Sequence, residues 1–256
     1  MAARRNEKVQ KRPDIIKWTL MVGAALVVAA IAVMVYRHYR PNVNVDRYPI
    51  RGIDVSKHNG HIDWERVANQ GVRFVYIKAS EGATYRNPLF EEQYAGATRA
   101  GLKVGAYHFF RMNRSGAAQA EHFARTIGKR RFDMPIVIDV EESRDNQGVQ
   151  RDSVVEQLKL MASTLENKGH QVMLYTNGNG YRSFYQGRLD QYDLWLSAFK
   201  APERIAYIGH RIQQYSHWGS LDGVEGDVDL NVFVGSERQW QQWLDQVNDN
   251  TQNNRL

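Results

Sequence analysis

The feature that most constrains this chain is a regular alternation of strand patterns and helix patterns from residue 51 onwards. Eight runs rich in β-branched and aromatic residues predict strands at 52–56, 73–80, 103–110, 135–141, 171–177, 193–199, 211–216 and 227–233. Helix-compatible stretches follow the first five runs, whereas only loops separate the last three. Such alternation predicts a parallel sheet, and eight strands predict its closure into a barrel. We therefore expect an α/β barrel whose final third has lost its helices.

An apolar segment precedes this barrel sequence. Residues 19–35 carry no charge, and Trp18 and Tyr36 flank them as aromatic residues flank a membrane span. At about 1.5 Å per residue, a helix over 18–36 matches the thickness of a hydrocarbon core. The sequence therefore predicts one transmembrane signal-anchor helix at 18–36, with the lipid bilayer as its partner.

Charge around this segment predicts its orientation and the layout of the chain. Six Lys and Arg residues precede it and three follow it before residue 50, which places the N-terminus in the cytoplasm and the rest outside an inner (cytoplasmic) membrane, in the periplasm or the extracellular space. The expected order is a cytoplasmic basic segment (1–17), the anchor, a linker (37–50), the barrel (51–245) and a disordered polar tail (246–256). A cleaved signal peptide and a buried core helix are the alternatives for the apolar segment.

Composition excludes several classes of function. Residues 1–51 hold 10 Lys and Arg against 3 Asp and Glu, and the remaining residues hold 24 against 25, so the net charge of +6 does not predict a nucleic-acid-binding domain. The absence of cysteine excludes a disulfide framework and a thiolate nucleophile. No nucleotide-binding glycine motif and no HExxH pairing occurs, so neither a cofactor nor a metal is predicted.

Carboxylates at the ends of predicted strands indicate a site. Asp139 and Glu141 follow an apolar strand and share one of its faces, about 6.5–7 Å apart. Asp54 ends the first strand and Asp229 lies in the last, and closure of a barrel makes these two strands neighbours. Glycoside hydrolysis needs two such acids, one protonated and one ionised. A salt bridge at the barrel rim is the structural alternative for the Asp139–Glu141 pair.

Aromatic and amide side chains near the strand ends favour a sugar substrate, because aromatic rings with polar tips suit the C–H faces of pyranose rings. Phe109 is assigned to the core instead, and Lys78 and Glu81 are either substrate contacts or a structural ion pair. The predicted substrate-binding residues are Tyr76, Tyr107, Tyr175, Trp195, Gln214 and Asn231.

Seven motifs also resemble a known family over about residues 52–235. They are GIDVSKHNGHIDW, FVYIKASEG, GAYHFF, IDVEE, LYTNGN, LWLSAF and VEGDVDLNVF, and they are similar to those of glycoside hydrolase family 25, the Chalaropsis-type lysozymes or N-acetylmuramidases. The resemblance implies a modified TIM-like (β/α)5(β)3 barrel that hydrolyses the β-1,4 bond between N-acetylmuramic acid and N-acetylglucosamine in peptidoglycan. It also implies Glu141 as general acid, Asp139 as nucleophile or as the carboxylate that orients the 2-acetamido group, and Asp54 and Asp229 in the cleft.

The leading hypothesis is therefore a membrane-anchored lysozyme that acts on peptidoglycan glycan strands. A non-catalytic peptidoglycan-binding module tethered to the membrane is the alternative from another class. A related barrel hydrolase that acts on chitin is the third hypothesis.

Overall fold

The computed structural model describes residues 15–39, 43–44, 46–142 and 149–253, which fall into two compact units, 1–40 and 41–256. The first unit contains helix α1 (Ile15–Tyr39). Within the described residues, α1 is the one helix that is long and apolar enough to cross a membrane, over Lys17–Val35 with a mean hydropathy of 2.4. Most of the predicted basic segment lies outside the described residues.

In the part of the second unit that the structure describes, nine strands form one sheet. Eight of them lie within three residues of the predicted bounds, and one, a short hairpin strand, was not predicted. They are β1 (Arg51–Val55), β2 (Val72–Glu81), β3 (Tyr85–Arg86), β4 (Lys103–Phe109), β5 (Ile136–Asp139), β6 (Val172–Asn177), β7 (Asp193–Ser197), β8 (Ile212–Gly219) and β9 (Val228–Phe233).

Helices follow the first five barrel strands as the alternation predicts, and one further helix, which was not predicted, follows β9. They are α2 (Trp64–Asn69), α3 (Phe90–Arg99), α4 (Gly116–Ile127), α5 (Arg151–Glu166), the single turn α6 (Gly178–Gly180) continued by a π-helical turn (Tyr181–Tyr185), and α7 (Glu237–Asn253). Short 3-10 turns (Lys57–Asn59, Pro202–Arg204 and Ala206–Ile208) occupy loops. Asp63 and Ser115 cap α2 and α4 by accepting hydrogen bonds from backbone N–H groups, which defines where these helices begin.

The sheet closes into an eight-stranded barrel because β1 pairs with both β2 and β9. Six of the pairings around the barrel are parallel, but β9 is antiparallel to both β1 and β8. The expectation of an entirely parallel sheet was therefore wrong at the last strand. Only eight residues connect β8 to β9, and a parallel connection needs a longer crossover.

Two hydrophobic cores stabilise the barrel. One lies between the strands and the surrounding helices, and the other fills the barrel interior with side chains such as Phe74, Val137 and Ile212. Helix α7 contributes to this interior core. Its apolar side chains repeat with helical spacing and are buried: Trp240, Trp243, Leu244 and Val247.

The predicted disordered tail at 246–256 was thus wrong over 246–253, which continue α7, while 254–256 lie outside the described residues. The helix is fixed to the barrel by Trp243, whose indole Nε1–H donates to Asp193 at the start of β7 (2.8 Å).

Candidate active site

The carboxyl end of β5 brings two carboxylates into one cleft. Hydrogen bonds continue beyond the strand, from Val140 N–H to the Tyr175 carbonyl (2.9 Å) and from the Thr176 hydroxyl to the Val140 carbonyl (2.6 Å). This extended backbone leaves Asp139 and Glu141 on the same face, as the two-residue period of a strand requires. Asp139 is buried and Glu141 is partly exposed.

A second pair of carboxylates comes from the closure of the barrel. Asp54 and Asp229 are directly paired residues in the antiparallel register of β1 and β9. Because β9 runs in the reverse direction, its second residue lies at the same rim that β1 reaches at its end. The sequence-based expectation that these two residues meet is therefore consistent with the fold, although a parallel last strand was expected.

All four carboxylates line a single cleft of about 240 Å³ at this rim of the barrel. Three of the predicted aromatic residues and Gln214 also line it. The complete lining consists of Asp54, Ser56, His58, Lys78, Tyr107, Phe109, Asp139, Glu141, Tyr175, Trp195, Gln214, His217 and Asp229. Sequence reasoning missed Ser56, His58 and His217 as cleft residues. Of these, His217 lies on β8 beyond a register shift, where alternation no longer predicts which face a residue occupies.

Burial raises the pKa values of the two acids at the end of β5, Asp139 and Glu141. Desolvation raises the pKa of Glu141, an effect partly offset by the amide of Asn177, which donates to Glu141 Oε1 (3.3 Å), and by the charge of His217. Desolvation also raises the pKa of Asp139 well above its usual range, and the charge of Glu141 adds to the shift. The buried Oδ1 of Asp139 has no hydrogen-bond partner among the described residues.

Asp54 accepts hydrogen bonds from two amide side chains, and the structure defines which atom of each bond donates. The indole N–H of Trp195 can only donate, and it donates to Asn231 Oδ1 (2.8 Å), so the Asn231 amide nitrogen faces Asp54 Oδ2 (2.8 Å). Gln214 donates to the same Oδ2 (2.9 Å) and accepts from the hydroxyl of Tyr175 (2.9 Å). Burial, followed by the charge of Asp229, raises the pKa of Asp54 well above its usual range.

Two aromatic assignments were wrong. Tyr76, predicted to bind substrate, is fully buried within the barrel, where its ring stacks on Trp195 (centroids 4.7 Å apart) and its hydroxyl donates to the Pro135 carbonyl (3.1 Å). It lies one layer below the cleft. Phe109, assigned to the core, lines the cleft, and the ammonium of Lys78 lies 4.8 Å from its ring centroid. Asn231 is also fully buried and acts on Asp54 rather than on the cleft itself.

Two further charged residues and one histidine have defined contacts within the barrel. Lys78 and Glu81 form an ion pair (2.6 Å), and Arg111 contacts the same carboxylate. His108 is fully buried between Ser80 (2.8 Å) and Gln119 (3.3 Å), and desolvation lowers the pKa of its imidazole to about 3. Among the residues that the structure describes, no group of three or more His, Cys, Asp or Glu side chains is arranged to hold a metal ion.

The sequence of the barrel matches a known family. The family model of Glycosyl hydrolases family 25 matches residues 53–224. The chain belongs to glycosyl hydrolase family 25. The family 25 segment runs from the middle of β1 to beyond β8 and therefore contains Asp54, Asp139 and Glu141, whereas Asp229 on β9 lies just beyond it.

Relatives with curated names agree with this family. The autolytic lysozyme of Clostridium acetobutylicum is 36% identical over 187 residues, which are 72% of this chain and 56% of that protein. Lysozyme M1 of Streptomyces globisporus is 32% identical over 205 residues, which are 75% of this chain and 70% of that protein. The chain therefore spans little more than half the length of the Clostridium relative.

Solved structures agree with the barrel. A family 25 glycosyl hydrolase from Bacillus anthracis superposes with a TM-score of 0.72 at 32% identity, covering 80% of this chain and 98% of that chain. The bacterial lysozyme from Streptomyces coelicolor superposes with a TM-score of 0.69 at 29% identity, covering 77% and 98% respectively.

Proposed function

We propose that the barrel of this family 25 protein is a lysozyme that hydrolyses the β-1,4 bond between N-acetylmuramic acid and N-acetylglucosamine in peptidoglycan. The observation that carries the proposal is the pair Asp139 and Glu141, two carboxylates on one face at the end of β5 that line an aromatic cleft. The names of the two bacterial relatives, autolytic lysozyme and lysozyme M1, support the same substrate class.

Glu141 is assigned as the general acid. Its raised pKa keeps the carboxyl protonated nearer to neutral pH than an exposed glutamate, so that it can give its proton to the glycosidic oxygen as the bond from that oxygen to C1 breaks. The single amide contact from Asn177 is compatible with this role, because one neutral donor holds the side chain without strongly favouring its ionised form.

Asp139 is assigned as the second carboxyl group. It acts either as the nucleophile at C1 or as the group that orients the 2-acetamido substituent of the substrate. Its side chain lines the cleft beside Glu141, which is compatible with either role. Both roles use the same two acids.

The other predicted residues are assigned by their positions. Tyr107, Tyr175 and Trp195 border the cleft and are proposed to contact sugar rings. Gln214 and Asn231 hold Asp54 in place and are positioning residues.

The test uses the full-length protein in detergent micelles, incubated with purified peptidoglycan. Borohydride reduction and mass spectrometry then identify the new reducing sugar. We expect reduced N-acetylmuramic acid from the wild type and at least a roughly 10²-fold lower turnover from Glu141→Gln. Glu142→Gln, which changes the neighbouring exposed acid, is the matched control and should remain active.

Three outcomes would overturn the assignment in different ways. Reduced N-acetylglucosamine would make the protein a glucosaminidase. Cleavage of a glycan without lactyl ethers or stem peptides would favour a chitin hydrolase. A folded protein that is retained by peptidoglycan but releases no reducing ends would be the binding module.

We further propose that residues 18–36 anchor the protein in the inner (cytoplasmic) membrane, with the barrel on the outer side. Helix α1 is apolar over Lys17–Val35 and carries no charge after Lys17, which supports this proposal. We expect the full-length protein to stay in the membrane fraction after alkaline carbonate washing, and protease added to intact spheroplasts to cut the predicted linker (37–50) and release the barrel. Release by carbonate would contradict the anchor, and protection from protease would contradict the orientation.

A further inference from the structure

His217 lies on β8 at the wall of the cleft, and its ring is held from two sides. Nδ1 lies 2.8 Å from Asp229 Oδ1 on β9, and the ring packs edge-to-face on Phe199, with centroids 4.3 Å apart. Its side chain is 46% exposed and that of Asp229 34%. The contact therefore lies where substrate would enter rather than in the core.

The hydrogen bonds that Asp54 accepts limit where a proton can lie in the Asp54–Asp229 pair. Asp54 Oδ2 accepts from both Asn231 and Gln214, so a proton shared between Asp54 and Asp229 cannot sit on that oxygen. On the other side of the pair, the imidazole occupies Asp229 Oδ1. When Nδ1 carries a hydrogen, Asp229 Oδ1 is the acceptor in this contact, so a proton shared by the pair lies between the two remaining oxygens, Asp54 Oδ1 and Asp229 Oδ2.

We propose that His217 is a positioning residue for the hydrolysis: its imidazole, packed on Phe199, contacts Asp229 Oδ1 and keeps Asp229 beside Asp54 at the wall of the cleft. This inference rests on the proposed function. His217 lies on β8, outside β5, and is not one of the carboxylates predicted from the sequence.

The charges of His217 and Asp229 act on the pKa of Glu141 in opposite directions. The cation of His217 lowers the pKa of Glu141 and the anion of Asp229 raises it. Removal of the cation alone leaves the anion unbalanced, so Glu141 should keep its proton to higher pH. The other titratable and charged groups that line the same cleft are Asp54, His58, Lys78, Tyr107, Asp139 and Tyr175.

Two substitutions separate the hydrogen bond from the charge. His217→Asn keeps an N–H donor near the position of Nδ1 but removes the charge, whereas His217→Leu removes both. His61→Asn is the matched control, because His61 also contacts a carboxylate, Glu92 (2.5 Å), but at an exposed site outside the cleft lining.

The experiment measures kcat and KM of the full-length protein in detergent micelles from pH 4 to 9 on solubilised glycan strands. For His217→Asn we expect kcat within about threefold of the wild type at the optimum and an alkaline limb of kcat/KM shifted upwards by about half a pH unit. For His217→Leu we expect kcat to fall by about tenfold with KM changed less than threefold. The His61→Asn profile should coincide with that of the wild type.

A His217→Asn profile that coincides with the wild type, or full kcat in His217→Leu, would overturn the inference. If Glu141→Gln is inactive at the same time, the proposed function stands and only the inference fails. An inactive wild type overturns both. Should His217→Leu not fold, the pH profile of His217→Asn decides alone.

Discussion

Asp54 and Asp229 face each other across the antiparallel ladder of β1 and β9, although they are 175 residues apart in the chain. The pairing depends on the reversed direction of β9, which brings the beginning of one strand to the end of another. Burial, followed by the charge of Asp229, raises the pKa of Asp54 well above its usual range. The antiparallel pairing of β1 with β9 therefore affects the pKa of an acid that lines the cleft.

Asn231 holds this pair in its arrangement, and Asn231→Leu should be destabilising. The substitution leaves the indole N–H of Trp195 without its acceptor and removes one of two donors to Asp54. We expect a loss of about 2–4 kcal/mol in the free energy of unfolding, measured by denaturant titration in detergent. Asn179→Leu is the control, because Asn179 also accepts a side-chain hydrogen bond but is exposed, and it should change stability by less than about 0.5 kcal/mol. Equal losses in both variants would contradict the role of Asn231.

His108 should make the protein less stable in mild acid. Its pKa is about 3 in the folded protein and near 6.5 when exposed, so the unfolded chain binds more protons below pH 6.5. The stability associated with the neutral, buried ring is therefore lost as pH falls from 6.5 towards 3, by about 1 kcal/mol between pH 7 and pH 5.5. We expect His108→Leu to be less stable at pH 7 but to show a flatter dependence of the unfolding free energy on pH. The same slope in both proteins would argue against a neutral His108.

Tyr76 and Tyr175 form a matched pair, because both rings contact Trp195 and only Tyr175 lines the cleft. Tyr76→Phe removes a hydrogen bond to the Pro135 carbonyl and should cost about 1 kcal/mol of stability, with kcat within twofold of the wild type. Tyr175→Phe removes a donor to Gln214 and should lower kcat/KM about fivefold or more, because Gln214 holds Asp54. A larger activity loss in Tyr76→Phe than in Tyr175→Phe would place the cleft one layer deeper than described.

Gly180 is required for the close approach of α6 to the end of β5. A Cβ atom there would clash with the Thr176 hydroxyl, which donates to the carbonyl of Val140 between the two proposed catalytic acids. We expect Gly180→Ala to lose about 1–3 kcal/mol of stability and about tenfold in kcat. At Gly178 the nearest atom to such a Cβ is 3.7 Å away, so Gly178→Ala should behave like the wild type. Normal turnover in Gly180→Ala would show that this contact does not position the acids.

Much of the fold could be predicted because each strand carries its own local pattern. The eight barrel strands, the five following helices and the four carboxylates were all identified from alternation and spacing. Alternation does not encode strand direction, so the antiparallel β9 was missed. The same pattern gives the face of a strand but not the depth within a barrel, and Tyr76 was therefore assigned to the cleft although it lies beneath it.

The errors at α7 and His217 have separate causes. Trp240, Trp243, Leu244 and Val247 follow helical spacing, but their polar neighbours resemble a disordered tail until the barrel supplies an apolar surface for them. His217 follows a register shift on β8, so its side chain faces the cleft where a simple two-residue period fails. Both positions depend on tertiary structure that a local window does not contain.

Because α7 completes the interior core of the barrel, we expect the barrel to reach its native state during synthesis only after α7 has been made. The indole of Trp240 packs on Phe74 of β2, with ring centroids 5.4 Å apart, and on Phe233 of β9. A ribosome-bound chain that ends before residue 237 therefore has all the barrel strands but not the helix that completes their interior core. We expect protease resistance of the barrel to appear only once α7 has left the exit tunnel.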